Sequence, residues 1–355
     1  MLLDKDLIAN KMAVDKALRT FITAMQVKFA AIDPVMTDLL LAVEAQMMRS
    51  GKRIRPFLIS QAYRLAGGED HDLATRLGVV FELLHQFFMV HDDIVDRDEK
   101  RYGGDSLHIS YEKKFAVDYG VHDPHLGISL GMMGGDLLHM LVYTALEELP
   151  VSLQLKDRLR NLINETIYRT MAGWQMHFFQ NQQKLSAVTP ELYLKGMSLV
   201  SAKYTFETPL LAGLMLADGE KWQKALSAYG YHAGMAFQMQ DDILGMFGRA
   251  DTTGKPVGND YREGKKTLLV LLSYQFSNTE QKMYLSRTLG TSITQIQLTQ
   301  IQTLMQSTGA LDRVRQTALE ETVLAKEALE DTPGAHTMSV IMLKNLADYV
   351  VTREA

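Results

Sequence analysis

Apolar residues recur at spacings of three and four along most of the chain, which is the periodicity of helices with one buried face. This pattern predicts helices over residues 36–48, 73–95, 128–149, 155–179, 190–216, 222–247, 266–276 and 296–328. Strand-like alternation and Asn-Gly hairpin signals are essentially missing. Glycine and proline gather at residues 66–68, 103–104, 123–124 and 252–258, which we expect to be loops. The pattern therefore predicts an all-α fold.

Two clusters of aspartates interrupt the apolar segments. The first contains Asp92, Asp93 and Asp96, and the second contains Asp241 and Asp242. Neighbouring ionised carboxylates repel one another, and burying them without compensation costs several kcal/mol each. Oxygen ligands of this kind suit Mg²⁺, which typically binds one or two carboxylates together with the phosphates of a substrate. The sequence therefore predicts a magnesium-bridged diphosphate site.

Helical geometry refines the first cluster. One stripe of the predicted helix, less than about 90° wide, contains His85, Phe88, Asp92 and Asp96. Asp93 is turned about 100° away and Phe87 lies off the opposite side. We therefore expect Asp92 and Asp96 to share a metal and Asp93 to orient the ligands. Because Phe88 lies one turn deeper, a polar mouth would sit above an apolar shaft, as suits a charged head with a hydrocarbon tail.

Composition narrows the class of protein. The net charge is −5, and the basic residues form no continuous stripe of the kind that binds nucleic acid. There is no cysteine, which fits a cytosolic protein. The first residues lack the apolar core of a signal peptide. The apolar window 126–142 contains Asp136 and His139 and falls short of a membrane span. We expect a cytoplasmic protein without a membrane span.

The domain organisation follows from the two acidic clusters. The chain has 355 residues and shows no internal repeat and no low-complexity linker. Neither cluster could be neutralised alone, so the simplest architecture is a single all-α domain over residues 1–355 with a central cavity.

Basic residues form compact sets near predicted turns. They are Lys52, Arg53 and Arg55; Arg97, Lys100 and Arg101; and Lys255, Arg262, Lys265 and Lys266. Arginine and lysine are the usual ligands of diphosphates. The third set is not a P-loop, because Pro256 follows Lys255 and the glycine spacing is wrong.

Taken together, these residues resemble the trans-isoprenyl diphosphate synthases, also called polyprenyl synthetases. The resemblance runs through residues 51–56 (GKRIRP), the DDxxD motif at 92–96, residues 237–242 (FQMQDD), 253–266 and 346–351. It implies the type I isoprenoid synthase fold, a helical bundle around a deep central cavity, usually in a homodimer. It also implies that isopentenyl diphosphate is joined to an allylic diphosphate, and that the product is short.

The resemblance implies a role for each matching residue. Mg²⁺, with three ions per active site once diphosphate is bound, would be ligated by Asp92, Asp96 and Asp241, supported by Asp93 and Asp242. The allylic diphosphate would be held by Arg101 and Lys255, and isopentenyl diphosphate by Lys52, Arg55 and His85; Lys265 would also bind substrate. Gln238 and Ser201 would face the developing carbocation. Family members with aromatic residues at the positions of Phe87 and Phe88 usually make short products, so we expect C15 first and C20 next.

Three positions depart from the family pattern. Gly245 stands where a third aspartate would end the second motif. Tyr102 replaces the second of two arginines, which removes a cation expected near isopentenyl diphosphate. Val200 replaces a lysine before Ser201, and Lys203 is a possible substitute, although it is turned some 60° away on a helix.

Alternative functions remain open. A class I terpene synthase also ionises an allylic diphosphate; Tyr102 and Val200 favour it, whereas the cations that would bind a second diphosphate do not. A weakly active subunit of a hetero-oligomeric synthase is a second alternative, but both acidic motifs are retained. His91 beside Asp92 is typical of HD-type phosphohydrolases, which would leave the second motif unexplained.

Overall fold

A computed structural model describes residues 2–49, 51–249 and 256–353. The contacts within the chain divide it into two compact units. Unit 1 comprises Met1–Tyr63 and Gly68–Arg160, and unit 2 comprises Arg64–Gly67 and Asn161–Ala355. The all-α prediction is confirmed, because helices form nearly all of the regular structure in the described residues. That the chain functions as a single domain stays a prediction.

The described residues of unit 1 form six helices, the start of a seventh and a small hairpin. The helices are α1 (Leu2–Ala30), α2 (Pro34–Met47), α3 (Ile54–Leu65), α4 (His71–Val95), α5 (Leu107–Tyr119), α6 (Pro124–Glu147) and the first turns of α7 (Leu153–Gln182). The hairpin pairs β1 (Lys100–Arg101) with β2 (Gly104–Asp105) in antiparallel register.

Helix α4 forms the centre of unit 1. It packs against α6 and α1, and its middle is buried on all sides, with Leu77, Val80, Phe81, Leu83 and Leu84 fully buried. The helix is capped at its start by Asp70, whose side chain accepts a hydrogen bond from the backbone N–H of Leu73 at 3.0 Å. The first acidic motif therefore lies at the end of a helix that its apolar residues bury in unit 1.

The part of unit 2 that the structure describes forms the remaining helices. They are the rest of α7, α8 (Pro190–Met197), a π-helix (Ser198–Glu207), α9 (Thr208–Leu216), α10 (Gln223–Phe247), α11 (Asn259–Arg262), α12 (Leu268–Phe276), α13 (Thr279–Thr288), α14 (Gln295–Ser307), α15 (Ala310–Ala328) and α16 (Thr337–Thr352). Three short 3₁₀ turns (Leu185–Ala187, Glu220–Trp222 and Leu329–Asp331) join them.

Helix α10 forms the centre of unit 2. It packs against the π-helix, α15 and α16. Two glycines permit the close approach of the π-helix: a Cβ atom on Gly230 would lie 2.6 Å from the Cα of Glu207, and one on Gly234 would lie 2.5 Å from the Cα of Ala202. The second acidic motif lies near the end of this helix, as the first does in unit 1.

Most predicted helical segments are confirmed, with three differences. The predicted helix 190–216 is divided into α8, the π-helix and α9, and the predicted helix 296–328 is broken between α14 and α15. Gly309 adopts a positive φ of 76° at the second break, which ends one helix and starts the next. Helices α1, α5, α11, α13 and α16 and the hairpin were not predicted as separate elements. Residues 252–255 of one predicted loop lie outside the described residues.

Among the described residues, α4 and α6 are long and apolar enough to cross a membrane. In these stretches α4 is 72% buried and α6 is 39% buried. Because core helices of soluble proteins pass the same test, this is weak evidence for a span, and the absence of one stays a prediction.

Candidate active site

The first acidic motif lies where α4 ends. Asp92 and Asp93 belong to its last turn, and Asp96 is the capping residue. Arg97 then adopts a left-handed conformation with φ 56°, and the backbone N–H of Asp98 donates to the carbonyl of Asp93 at 2.8 Å. This turn returns Asp98 to the helix end, so that carboxylate oxygens of Asp92, Asp96 and Asp98 lie within 4.8 Å of one another.

This donor set fits Mg²⁺. Each of the three residues offers a carboxylate oxygen, which is the ligand type that this ion prefers. Asp92 and Asp96 are half-buried and Asp98 is buried, so the cluster is held by the fold and still open on one side. Asp98 was not predicted; its sequence signal is only that it follows Asp96 by two residues.

Asp93 is paired inside the protein with Arg101. Its side chain is 1% exposed, and the Nε atom of Arg101 donates to it at 2.6 Å. The same guanidinium lies 3.2 Å from Asp98 and 3.5 Å from Asp92. Burial works to lower the pKa of Arg101, but these carboxylates raise it above its usual value. Arg101 therefore positions the acidic cluster, and its contact with the allylic diphosphate stays a prediction.

The hairpin after the motif fixes Tyr102 in an uncommon conformation. Tyr102 and Gly103 form its turn with positive φ angles of 51° and 74°, as in the mirror-image turns that suit tight hairpins. A bulky residue is unusual there. Burial raises the pKa of the Tyr102 hydroxyl, and Glu82 adds to this, while Arg101 and Arg55 oppose it. The hydroxyl therefore stays protonated among positive charges.

A buried arginine organises the first basic set. Arg53 is 3% exposed and has φ 51°. It donates to Glu82 at 2.5 Å, to Asp15 at 2.8 Å and to the carbonyl of Met47 at 2.8 Å. The Arg53 guanidinium is thus paired with carboxylates inside unit 1. Lys52, which is exposed, and Arg55, which is half-buried, stand on either side of this anchor.

His85 lies about two turns before Asp92 on α4, near the arginines. Burial lowers the pKa of His85 well below its usual value, and the charges of Arg55, Arg53 and Arg101 lower it further. A neutral imidazole in a positive field can donate a hydrogen bond to an anion without adding charge. Three residues predicted to hold isopentenyl diphosphate (Lys52, Arg55 and His85) thus belong to the same unit as the carboxylate cluster.

The two phenylalanines pack at the same end of α4. The centroids of Phe87 and Phe88 are 4.8 Å apart, and Phe88 is 3% exposed. Phe87 stacks on His139 of α6 at 5.0 Å and meets the edge of His91 at 5.0 Å. An aromatic layer therefore lies below the carboxylates, within unit 1.

In the second motif, Asp241 is the outward carboxylate. Its side chain is 39% exposed and forms an ion pair with Arg353. Arg353 directly follows α16, the last helix. No spacing in the sequence indicated this partner.

Asp242 points inward and ends a chain of hydrogen bonds. It accepts from the hydroxyl of Tyr193 at 2.7 Å and from Nε2 of Gln238 at 3.0 Å. Oε1 of Gln238 accepts from the hydroxyl of Ser201 at 2.6 Å. Burial raises the pKa of Asp242 to about 7, opposed by these two hydrogen bonds and assisted by Asp260. The structure thus brings together Ser201, Gln238 and Asp242, and adds Tyr193, which was not predicted.

The remaining predicted cations of unit 2 are lysines, and those in the described residues have different ion-pair partners. Lys265 lies 3.1 Å from Asp260 and 2.8 Å from Glu263. Lys203, the possible substitute for the missing lysine, lies 3.3 Å from Glu207. Lys255 lies outside the described residues.

Comparison with known proteins gives the same family as the sequence motifs. Residues 37–305 match the sequence profile described as Polyprenyl synthetase. A geranylfarnesyl diphosphate synthase of Aeropyrum pernix is 29% identical over 313 residues, covering 85% of this chain and 90% of that protein. An all-trans-nonaprenyl-diphosphate synthase (geranyl-diphosphate specific) of Rhodobacter capsulatus is 29% identical over 328 residues, with coverages of 90% and 94%.

Among solved structures, a geranylgeranyl pyrophosphate synthase of Corynebacterium glutamicum, complexed with isoprenyl diphosphate and magnesium, is 26% identical. It matches 99% of each chain with a TM-score of 0.91. These similar proteins are named for products of different lengths, so similarity at this level carries no information on product length.

Proposed function

Because this chain belongs to the polyprenyl synthetase family, it is a prenyltransferase, and we propose that it condenses isopentenyl diphosphate with an allylic diphosphate. The condensation is head to tail and gives a trans product. The observation that carries this proposal is the proximity, within unit 1, of three convergent carboxylates and a positive region around His85 and Arg55. The carboxylates suit a metal and the diphosphate that it binds, and the positive region suits a second diphosphate.

Different residues of unit 1 would bind the metal and the two diphosphate substrates. Asp92, Asp96 and Asp98 would hold Mg²⁺, while Asp93 keeps Arg101 beside them. Lys52, Arg55 and His85 would bind isopentenyl diphosphate, with Arg53 fixing the start of α3, where the first two lie. Arg101, once a diphosphate is present, would share its guanidinium with the allylic substrate.

The residues of unit 2 would serve the leaving group and the cation. Asp241 would bind further Mg²⁺, up to the three ions expected per active site, and Asp242 would orient Gln238. Lys255 and Lys265 would bind the departing diphosphate. The oxygen atoms of Gln238 and Ser201 present negative ends of dipoles, which would stabilise a developing carbocation.

The reaction requires ionisation of the allylic C–O bond. Bound Mg²⁺ would supply charge stabilisation for a departing diphosphate of charge about −3. The cationic side chains would hold the alkene of isopentenyl diphosphate against the allylic carbon, which is positioning work. The apolar walls would exclude water, which would otherwise convert the cation to an alcohol. The released diphosphate would accept the final proton.

The proposal is tested by incubating purified protein with Mg²⁺, isopentenyl diphosphate and dimethylallyl, geranyl or farnesyl diphosphate in turn. We expect consumption of isopentenyl diphosphate and a C15 or C20 prenyl diphosphate by mass spectrometry. Release of diphosphate from an allylic substrate with no use of isopentenyl diphosphate would indicate a terpene synthase. Activity only after addition of a second chain would indicate a subunit of a hetero-oligomer.

We also propose a homodimer. Helix α6 exposes Met132, Met133 and Met140 on neighbouring positions, with 50%, 54% and 62% of each residue accessible. A second copy of the chain would cover this apolar face. Light scattering should give twice the chain mass of 40.0 kDa, and Met133→Glu with Met140→Glu should give the monomer. Val117→Glu, at an 83% exposed position on α5, is the control and should stay dimeric.

A further inference from the structure

Helix α1 supplies a carboxylate to the buried arginine beside the residues predicted to bind isopentenyl diphosphate. Asp15 accepts a hydrogen bond from Nε of Arg53 at 2.8 Å, and the Arg53 side chain is 1% exposed. The segment that matches the family profile begins at residue 37, so Asp15 lies outside it. The motif that contains Arg53 therefore has a partner that the family pattern does not include.

Arg53 connects three helices at the point where α3 begins. Its Nη1 atom donates to Glu82 of α4 at 2.5 Å, and its Nη2 atom donates to the carbonyl of Met47, the last residue of α2, at 2.8 Å. The Nε atom donates to Asp15 of α1. Because the guanidinium is a rigid planar fork, these three contacts together fix its orientation, and loss of one allows it to turn.

The backbone at Arg53 requires such support. Arg53 has a left-handed φ of 51°, which residues other than glycine rarely adopt. Gly51 has φ 121°, and a Cβ atom there would lie 3.2 Å from Nη1 of Arg53. The guanidinium therefore packs against the loop that carries Lys52. Lys52 directly precedes the left-handed residue and Arg55 follows it by two, so the contacts that hold Arg53 also set the direction of both cations.

Asp15 is ionised and shares the charge of Arg53 with Glu82. Burial works to raise the pKa of Asp15, but hydrogen bonds from Lys11 and Arg53 lower it below its usual value. Burial works to lower the pKa of Arg53, but Glu82 and Asp15 raise it. Glu82 is 2% exposed, whereas the Asp15 side chain is 25% exposed. Removal of Asp15 would thus loosen Arg53 but leave its buried ion pair with Glu82, so the chain should still fold.

We propose that Asp15 is a positioning residue for isopentenyl diphosphate, which acts through Arg53 on Lys52 and Arg55. This inference rests on the proposed function, because it places the diphosphate at these two cations. Asp15 does not contact the substrate. It fixes the guanidinium that supports the left-handed turn, and the turn directs the two cations. Helix α1 therefore takes part in substrate binding from outside the segment that the family profile matches.

The test is calorimetric titration of the full chain with isopentenyl diphosphate in the absence of Mg²⁺, together with thermal unfolding of each variant. Asp15→Ala should bind this substrate about tenfold more weakly, as loss of a supporting contact predicts. Asp15→Asn keeps an acceptor for Nε but loses the charge, and should bind about threefold more weakly. In turnover, Asp15→Ala should raise the KM for isopentenyl diphosphate by the same factor, with kcat and the allylic KM changed by less than about twofold.

A matched control separates this role from the packing of α1. Asn10, on the same helix, accepts a hydrogen bond from the hydroxyl of Ser60 in α3 at 3.1 Å. Asn10→Ala therefore removes a contact between α1 and α3 without changing a partner of Arg53. We expect lower thermal stability in this variant but the same affinity for isopentenyl diphosphate as in the wild type.

A second background shows whether Asp15 acts through Arg53. Arg53→Lys keeps a positive charge beside Glu82 but lacks the planar fork. In this background, Asp15→Ala should weaken the binding of isopentenyl diphosphate by less than about twofold, because the residue through which it acts has already been changed. A further tenfold loss would mean that Asp15 acts independently of Arg53, and would overturn the inference.

Three other results would also overturn it: unchanged affinity in Asp15→Ala and Asp15→Asn, equal weakening by Asn10→Ala, or an equal rise in both KM values. If Asp15→Ala does not fold, the affinity of Asp15→Asn decides. The proposed function fails separately. A wild-type chain that binds isopentenyl diphosphate but makes no prenyl product would refute the condensation, and the affinities of the variants would still decide the role of Asp15. A wild-type chain that does not bind isopentenyl diphosphate would overturn both.

Discussion

The guanidinium of Arg353 forms an ion pair with Asp241, 112 residues earlier in the chain. It also lies over the ring of Phe237, 3.9 Å from the centroid, and donates to the Phe237 carbonyl at 3.3 Å. Its own carbonyl accepts from Nε2 of Gln240 at 3.0 Å. The last described residue of the chain thus neutralises the outward carboxylate of the second motif, and a metal that binds Asp241 must compete with it.

Removal of this competitor should lower the metal requirement. A partly exposed ion pair is worth about 1 kcal/mol, so Arg353→Gln should reduce the Mg²⁺ concentration for half-maximal turnover by about fivefold. The measurement is turnover against free Mg²⁺ at saturating substrates. Arg315→Gln, whose side chain is 54% exposed on α15, should leave the requirement unchanged. A higher requirement in Arg353→Gln would mean that Arg353 binds diphosphate and does not compete with the metal.

The carboxylate cluster of unit 1 should be needed for metal binding, and its aspartates should differ in how much they contribute. Asp92→Asn should reduce turnover by roughly 100- to 1000-fold, and Asp98→Asn by roughly 10-fold, because Asp98 also retains Arg101. Mn²⁺ binding by electron paramagnetic resonance should weaken in the same order. Asp118→Asn, exposed on α5, is the control. Turnover of the wild type in excess EDTA would contradict a metal requirement altogether.

The fold was predictable where a long apolar segment has clear ends. The predictions 73–95 and 222–247 agree closely with α4 and α10, because both helices are central and buried. The π-helix was not predictable, since its apolar spacing does not differ clearly from that of an α-helix. Helix α1 was not predicted, although its buried residues Leu3, Leu7, Val14, Leu18, Ile22 and Met25 recur at helical spacing.

From the spacing of residues alone, the site was predictable only where its residues are close in sequence. The spacing of Asp92 and Asp96 on one helix face indicated a shared metal. The return of Asp98 depends on the left-handed conformation of Arg97, which a hydrophobic pattern does not specify. The partner of Asp241 comes from the far end of the chain, and such a contact requires knowledge of how α16 packs on α10.

Product length should depend on the aromatic layer below the first motif. Replacing Phe87 and Phe88 with alanine opens space below the carboxylates, so we expect products longer than C20 by mass spectrometry. The buried Phe88 makes this substitution costly, about 3–5 kcal/mol of stability. Phe87→Ala alone, which loses the stacking on His139, should therefore be tried first. Lower thermal stability with an unchanged product would show that these rings only pack α4 against α6.

Acid should destabilise unit 2 through His177. This ring stacks on Tyr193 at 5.5 Å, and burial, assisted by Lys265, lowers the pKa of His177 to about 4. The unfolded chain binds a proton below about pH 6.5, whereas the folded chain does so only near pH 4. The stability due to the neutral ring is therefore present above pH 6.5 and is lost as the pH falls from 6.5 to 4.

The expected loss between pH 8 and pH 5 is about 1–2 kcal/mol, measured by urea unfolding. His177→Phe keeps the stacking but cannot be protonated, so its stability should change less over this range. His122→Phe, at an exposed position in unit 1, should follow the wild type. Equal pH dependence of His177→Phe and the wild type would assign the acid sensitivity to other groups.

Substitution of Tyr102 should show where isopentenyl diphosphate binds. It occupies the position at which the family pattern has an arginine, and its hydroxyl lies in the positive field of Arg101 and Arg55. A charge-assisted hydrogen bond to a diphosphate is worth roughly 1.5–3 kcal/mol, so Tyr102→Arg should lower the KM for isopentenyl diphosphate by about 10- to 100-fold. The KM for the allylic substrate should change little.

The added charge should also lower stability in the absence of ligand, because Tyr102→Arg places a further cation beside Arg101 and Arg55. Inorganic diphosphate should restore the melting temperature, since it neutralises the set. Tyr102→Phe removes only the hydroxyl and should raise the KM for isopentenyl diphosphate about threefold, as loss of one neutral hydrogen bond predicts. Tyr119→Arg, 72% exposed on α5, is the control for added charge. If Tyr102→Arg changes the KM for the allylic substrate instead, the cations near this hairpin bind the allylic diphosphate, and isopentenyl diphosphate binds elsewhere.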